Sequence, residues 1–271
     1  MPKSQLACIW CLKNGRKSKE HIVPEVLGCP PGFVLKRGEV CDKCNSKLSP
    51  LDAVLGQSFD FLRVVARIPG KKHKPPRITG RTNLRASVTR KGHLDLLLNL
   101  ESHAVETEAF GTIPEISDSY RDVIGSFQRI GTIGETQMSF TIGGHPDFGR
   151  AMHKIAFEWL LKLTSWAELL DRKFDPVRRY VMNGTGHREV LTLATQEWRY
   201  YHEFQNRVWK DEDGSPGVEF VLCGLPFLVA LGSDQRMIEK LKRETFKMYG
   251  PNGWAYLPIT VNSSTPPWTP K

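Results

Sequence analysis

The stretch CIWCLKNGRKSKEHIVPEVLGCPPGFVLKRGEVCDKCNSKLSP, residues 8–50, holds two Cys-x-x-Cys pairs and sets an acid beside a histidine between them. Cys8-Ile-Trp-Cys11 and Cys41-Asp-Lys-Cys44 are separated by 29 residues. Four thiolates from two tight turns are the ligand set of a tetrahedral Zn2+, each pair supplying two sulfurs. A lone pair could be redox-active, but two pairs without a thioredoxin-like pattern point to a structural metal. The interval exceeds what a minimal zinc ribbon needs, so the intervening chain forms something of its own. Cys29 and Cys223 stand at no such spacing and read as ordinary thiols.

Between the knuckles come Glu20-His21, Ile22-Val23-Pro24, a Gly/Pro turn at 28–32 and the strand-like FVLKRGEV at 33–40. Neighbours in extended chain face opposite ways, so Glu20 and His21 diverge. Glu20 and Asn45 each offer a hard oxygen suited to Mg2+ or Mn2+. An imidazole with an ordinary pKa of about 6.5 suits the activation of water near neutrality. After the second knuckle, Leu51, Val54, Leu55, Phe59, Leu62 and Val65 recur at helical spacing over 49–67. Pro50 fits a first turn there, and Pro69-Gly70 fits a stop. A zinc joining the two knuckles would draw Glu20-His21 and the helix start at Asn45 toward each other.

Charge is unevenly spread along the 271 residues. Residues 1–91 carry 19 Lys and Arg against 6 Asp and Glu, whereas 92–271 carry 19 against 23. That asymmetry suggests an N-terminal part that meets a polyanion. The stretch KKHKPPRITGRTNLRASVTRK, 71–91, has eight basic residues and no acid, and Pro75-Pro76 rules out a regular helix there. It reads as a basic connector. No apolar run is long enough to span a membrane, and the first residues lack the apolar segment of a signal peptide. The expected location is the cytoplasm, where thiols stay reduced.

Past the connector the pattern changes. RASVTRKGHLDLLLNLE reads as two strands about Lys91-Gly92, and MSFTIGG from Met138 as another. Phe148, Met152, Ile155, Ala156, Trp159, Leu160 and Leu163 form one apolar helical stripe, with His153 structural. REVLTLA, EWRYYHEFQ and GVEFVLCGLPFLVAL read as strands, and a capped helix is expected from Ser233. The aromatics of EWRYYHEFQNRVW fit a strand core better than a base-stacking surface. The predicted fold class is α+β: a module over 1–70, a connector over 71–91 and a mixed α+β domain over 92–271. The last is open to target recognition, regulation or binding of a protein partner, a second copy of the chain included.

The order Cys-x2-Cys, Glu-His-Ile-Val-Pro, Cys-x2-Cys-Asn-Ser-Lys-Leu, over residues 8 to about 55, resembles the HNH endonucleases, in particular their zinc-knuckle branch. KIAFEWL and FDPVRRYVMNG also resemble segments found downstream in this type. The resemblance implies a ββα-metal fold for the N-terminal module and hydrolysis of DNA phosphodiester bonds, in a setting such as restriction or phage defence. It implies that His21 is the general base and that Glu20 and Asn45 hold a catalytic Mg2+ or Mn2+. By the same resemblance, Cys8, Cys11, Cys41 and Cys44 bind a structural zinc. Arg37 and Lys47, with Lys71, Lys72 and Lys74 of the connector, are candidate phosphate contacts. Phosphate contacts alone would serve RNA as well as DNA. The family's central Asn on the second strand has no counterpart, since Lys36-Arg37-Gly38-Glu39 stands there, and Ser49 replaces a His or Asn one helical turn on. The alternative is a zinc-stabilised nucleic-acid-binding protein with a degenerate site.

Overall fold

Residues 148–163 carry apolar side chains around nearly the whole helical circumference, and a helix of that kind belongs inside a protein. In the computed structural model they form a helix with other elements packed around it. The structure describes residues 7–70, 74, 76–78, 145–192, 199–210, 214–233, 236 and 238–240, and the backbone of short strands between 84 and 139.

After the first knuckle, two extended segments are joined antiparallel by bridges Lys17↔Cys41 and His21↔Val34. Ile22 N–H donates to the Phe33 carbonyl at 2.9 Å and Leu35 N–H to the Glu20 carbonyl at 2.9 Å. Helix α1 follows directly, Asp42–Ser58, then α2, Asp60–Val65. A helix starting at Ser49 is therefore corrected: Cys41 caps α1 in extended conformation, and the second knuckle is its first turn. Asp42 lies where the helix dipole favours an acid. Pro50 sits inside the helix and cannot donate to the Ser46 carbonyl, and both residues are exposed to water that can. The expected apolar face holds, with Leu51, Val54, Leu55, Phe59 and Leu62 buried.

Among the described residues, three short antiparallel sheets occupy the middle of the chain. Strands β1 (Arg77–Ile78), β2 (Leu84–Val88) and β3 (Leu94–Leu98) form one, with β2 and β3 pairing about Lys91-Gly92 as expected. Strand β4 (Ala104–Val105) pairs with β5 (Ile113–Pro114), and β6 (Ser126–Ile130) with β7 (Glu135–Ser139). Only the start of MSFTIGG lies in β7; its end lies outside the described residues.

Helix α3 (Phe148–Leu163) is followed by α4 (Trp166–Leu169) and α5 (Asp175–Asn183). Strands β8 (Val190–Thr192), β9 (Glu203–Lys210), β10 (Pro216–Leu222) and β11 (Leu225–Ala230) make an antiparallel sheet in the order β8-β11-β10-β9. GVEFVLCGLPFLVAL thus folds back on itself through Cys223 and Gly224, both at positive φ, the conformation that tight hairpins require. From the expected C-terminal helix, Arg236 and residues 238–240 are helical. Among the described residues no helix is long and apolar enough to cross a membrane.

The content is mixed helix and antiparallel sheet, α+β. Apolar side chains from residues 8–68 and from 148–231 share one continuous core, in which Phe59 and Phe148 both meet Phe227. Polar groups inside it need partners. His153, fully buried on α3, pairs its Nδ1 with the Gly149 carbonyl at 2.8 Å, so Nδ1 carries the proton. Burial, helped by the nearby Arg188 charge, pushes its pKa down to about 3. The unfolded chain then binds a proton that the folded chain refuses between about pH 6.5 and that value. Stability from this group is complete above the upper limit and falls by about 1.4 kcal/mol per pH unit below it. His153→Gln is expected to flatten the acid side of the stability profile, read by urea unfolding between pH 7 and pH 4.

Candidate functional site

Sγ atoms of Cys8, Cys11, Cys41 and Cys44 all lie within 4.8 Å of one another. A tetrahedral zinc with Zn–S of about 2.3 Å requires sulfurs about 3.8 Å apart, and Cys11 and Cys41 stand at 3.8 Å. The first knuckle closes through the Leu12 N–H on the Cys8 carbonyl at 2.8 Å, with Leu12 in the left-handed region. Gly15 follows because a Cβ there would meet the Cys41 Cβ at 2.6 Å. Cys8 is pushed down to about 5 by the hydrogen bond from the Cys44 thiol, while Cys44 is pushed up by the same bond and by burial. Sulfurs crowded in this way gain from a shared dication, and the cluster could hold a zinc ion.

The knuckle is bolted to the helices of the second half. Arg178 Nε on α5 donates to the Ile9 carbonyl at 2.8 Å, and Trp166 Nε1 to the Ala7 carbonyl at 2.9 Å. Trp10, buried, packs on Phe157 at 4.9 Å between centroids and donates to Glu158 Oε1 at 3.2 Å.

Glu20 and His21 do diverge. The Glu20 side chain is 3% exposed and turns inward, where Lys154 Nζ of α3 meets its Oε1 at 2.6 Å. Lys154 itself is 0% exposed and also reaches Asp52 Oδ1 at 3.1 Å, Glu158 Oε2 at 3.5 Å and the His21 carbonyl at 3.5 Å. Burial lowers the Lys154 pKa, but Glu158, Glu20 and Asp52 together outweigh it and hold the ammonium charged. Burial also raises Glu158 well above the usual carboxylate range, with Lys154 opposing. Glu20 is raised for the same reason. Three carboxyls thus face one ammonium.

His21 lies on the other side of the segment, 23% exposed, with Nε2 at 3.5 Å from Glu25 Oε1. Asn45, in the first turn of α1, donates its Nδ2 to the Lys19 carbonyl at 2.9 Å and to Ser18 Oγ. The amide thus ties the helix to the extended segment just ahead of Glu20, while the Glu20 carboxylate is engaged by Lys154. Lys47 Nζ donates to Asn183 Oδ1 at 2.8 Å, and Arg37 and Lys74 are exposed. Lys71 and Lys72 lie outside the described residues. Of the aromatic cluster, Tyr200 and Phe204 are buried, whereas Tyr201 and Trp209 are exposed.

Sequence reasoning missed Lys154, Asp52, Glu158 and Glu25. Lys154 and Glu158 stand four apart in a helix rich in apolar residues, and that pair was the available signal. No protein-family model, curated protein or solved structure matches the chain at a significant level.

Two outcomes follow from this geometry. Metal analysis of protein purified without chelator should find one zinc per chain. Cys41→Ser should abolish it and cost on the order of 5 kcal/mol or more in urea unfolding, with loss of the near-ultraviolet signal of Trp10. Lys154→Met leaves buried carboxylates unpaired and should cost about 3–5 kcal/mol; adding Glu20→Gln should restore part of it, and a neutral Lys154→Met would remove the ion cluster's importance.

Proposed function

We propose that the chain is an HNH-type endonuclease that hydrolyses DNA phosphodiester bonds with His21 as general base. The observation that carries this reading is the placement of His21. It stands half-buried on the outer side of an antiparallel pair of extended segments, which α1 follows directly, with Asn45 in its first turn. That order of two extended segments and a helix, closed by the cysteine cluster, is what a ββα-metal module would need. Exposed Arg16, Lys17, Lys19, Lys36 and Arg37 surround the same segments and suit a polyanion. Arg37, Lys47 and the connector lysines would contact phosphates, and their contribution would weaken with salt.

In this reading His21 takes a proton from water, and the oxygen left behind attacks phosphorus. The resemblance assigns a Mg2+ or Mn2+ to Glu20 and Asn45, which would polarise the phosphate and stabilise the leaving oxygen. A Glu20 carboxylate buried against Lys154 does not fit an accessible cation.

The same Lys154 contact and the missing central Asn favour a second reading, a zinc-stabilised nucleic-acid-binding protein without cleavage. Supercoiled plasmid incubated with Mg2+, Mn2+ or EDTA separates the two. On the nuclease reading, His21→Ala lowers the cleavage rate by about 100-fold or more and leaves DNA affinity in a mobility-shift assay unchanged. Equal binding with no cleavage by either form, under every metal condition, would establish the binding protein instead.

A further inference from the structure

We infer that Glu25 is the positioning residue for His21, taking the place of the central Asn that the second extended segment lacks. The inference rests on the nuclease reading and deepens it. Glu25 Oε1 stands 3.5 Å from His21 Nε2, four residues along the chain at the start of a 3-10 turn, with side-chain exposures of 42% and 23%. An exposed ion pair four residues apart is usually worth little. What distinguishes this one is how firmly the backbone on both sides of the carboxylate is held.

Ile22 and Val23 are fully buried, and His21 is bridged to Val34. Pro24 leads into the 3-10 turn Glu25–Leu27, and the Leu27 N–H returns to the Pro24 carbonyl at 2.9 Å. Gly28 closes the turn at φ 75, donating to the Glu25 carbonyl at 3.0 Å; a Cβ there would meet Ile68 Cγ2 at 2.7 Å. The Leu27 carbonyl is then gripped from the second half of the chain, by Tyr200 Oη at 3.2 Å and His202 Nε2 at 2.9 Å. His202 is held in turn, since its Nδ1 accepts from the Cys223 N–H at 3.1 Å. Gly56 of α1 lies against Val26 so closely that a Cβ would stand 3.1 Å from its methyls. A loop anchored at this many points holds its one outward carboxylate against the histidine ring.

The chemistry follows from which nitrogen is engaged. A carboxylate accepting from Nε2–H leaves the lone pair on Nδ1 as the proton acceptor, and it stabilises the imidazolium formed afterwards. Water gives its proton to Nδ1, its oxygen forms the new P–O bond, and the P–O bond to the leaving sugar oxygen breaks, that oxygen taking a proton from solvent. Glu25 accepts no proton in this sequence; it orients the ring and offsets its charge. A separation of 3.5 Å before substrate binds is of the kind that tightens in the reacting complex.

The test uses the full zinc-loaded chain on supercoiled plasmid with Mg2+ or Mn2+, comparing wild type, Glu25→Ala, Glu25→Gln, His21→Ala and the double variant His21→Ala/Glu25→Ala. Glu25→Ala should lower kcat by about tenfold or more with KM and Tm unchanged. Glu25→Gln, which keeps an acceptor oxygen, should recover part of the loss. The double variant should be no slower than His21→Ala, because the carboxylate acts only through the ring. Wild-type kcat in Glu25→Ala, or a loss that adds to that of His21→Ala, would overturn the assignment. Carbethoxylation of His21 by diethylpyrocarbonate, followed by peptide mass spectrometry, reads the pairing without any cleavage. Loss of the carboxylate in Glu25→Ala lets the ring take the other tautomer and present a free Nε2 lone pair, so modification should speed several-fold, and an unchanged rate would overturn the pairing. A wild type that cleaves nothing removes the nuclease reading and the positioning role with it, while the modification rate still decides the contact.

Discussion

A single ammonium, that of Lys154, joins three parts of the chain that lie far apart in sequence. It meets Glu20 from the first extended segment, Asp52 from α1 and Glu158 one turn along α3. Taking such charges out of water costs several kcal/mol per ion, so the cluster survives only because its members satisfy one another. A hydrophobic replacement of similar shape could be as stable, but it would not specify which groups meet. Here the ion cluster decides that Glu20 faces inward. Through the alternation of extended chain, it also decides that His21 faces out.

The cysteine cluster depends on the same helix from another direction. Trp10, between Cys8 and Cys11, donates to Glu158, and Arg178 holds the Ile9 carbonyl from α5. Zinc at the four sulfurs would therefore brace more than two turns, because Ile9 and Trp10, between the first two sulfurs, are themselves core. The arrangement also explains why residues 8–68 and 148–231 share one interior. Loss of either the sulfur cluster or the α3 charges reaches the segment that carries His21.

The second half of the chain reaches the His21 neighbourhood along two routes. Lys154 of α3 contacts it from within, and Lys162, exposed at the end of the same helix, donates to the Val34 carbonyl at 3.0 Å. Tyr200 and His202, just ahead of β9, hold the far end of the loop bearing Glu25. A region that sequence character alone left open to several roles thus contributes to the shape of the candidate site. A general base needs a fixed ring more than it needs many neighbours, and these contacts supply that fixity.

Much of this was legible in the sequence, for reasons that lie in local chemistry. Cys-x-x-Cys spacing places two sulfurs on one turn, apolar periodicity marked the buried faces of α1 and α3, and alternation in extended chain separated Glu20 from His21. Local rules failed where a distant partner decided the outcome. Pro50 suggested a helix starting beside it, yet the second knuckle starts α1 at Asp42. Glu20 looked like a free oxygen ligand, because nothing near it in sequence announces Lys154. Lys154 and Glu158 went unremarked, because their burial is a property of everything packed around α3. Residue types and spacing thus determined which turns, helices and strands could form. Which charges went inside, and how the loop that sets Glu25 beside His21 was held, was decided only when segments more than a hundred residues apart closed on one core.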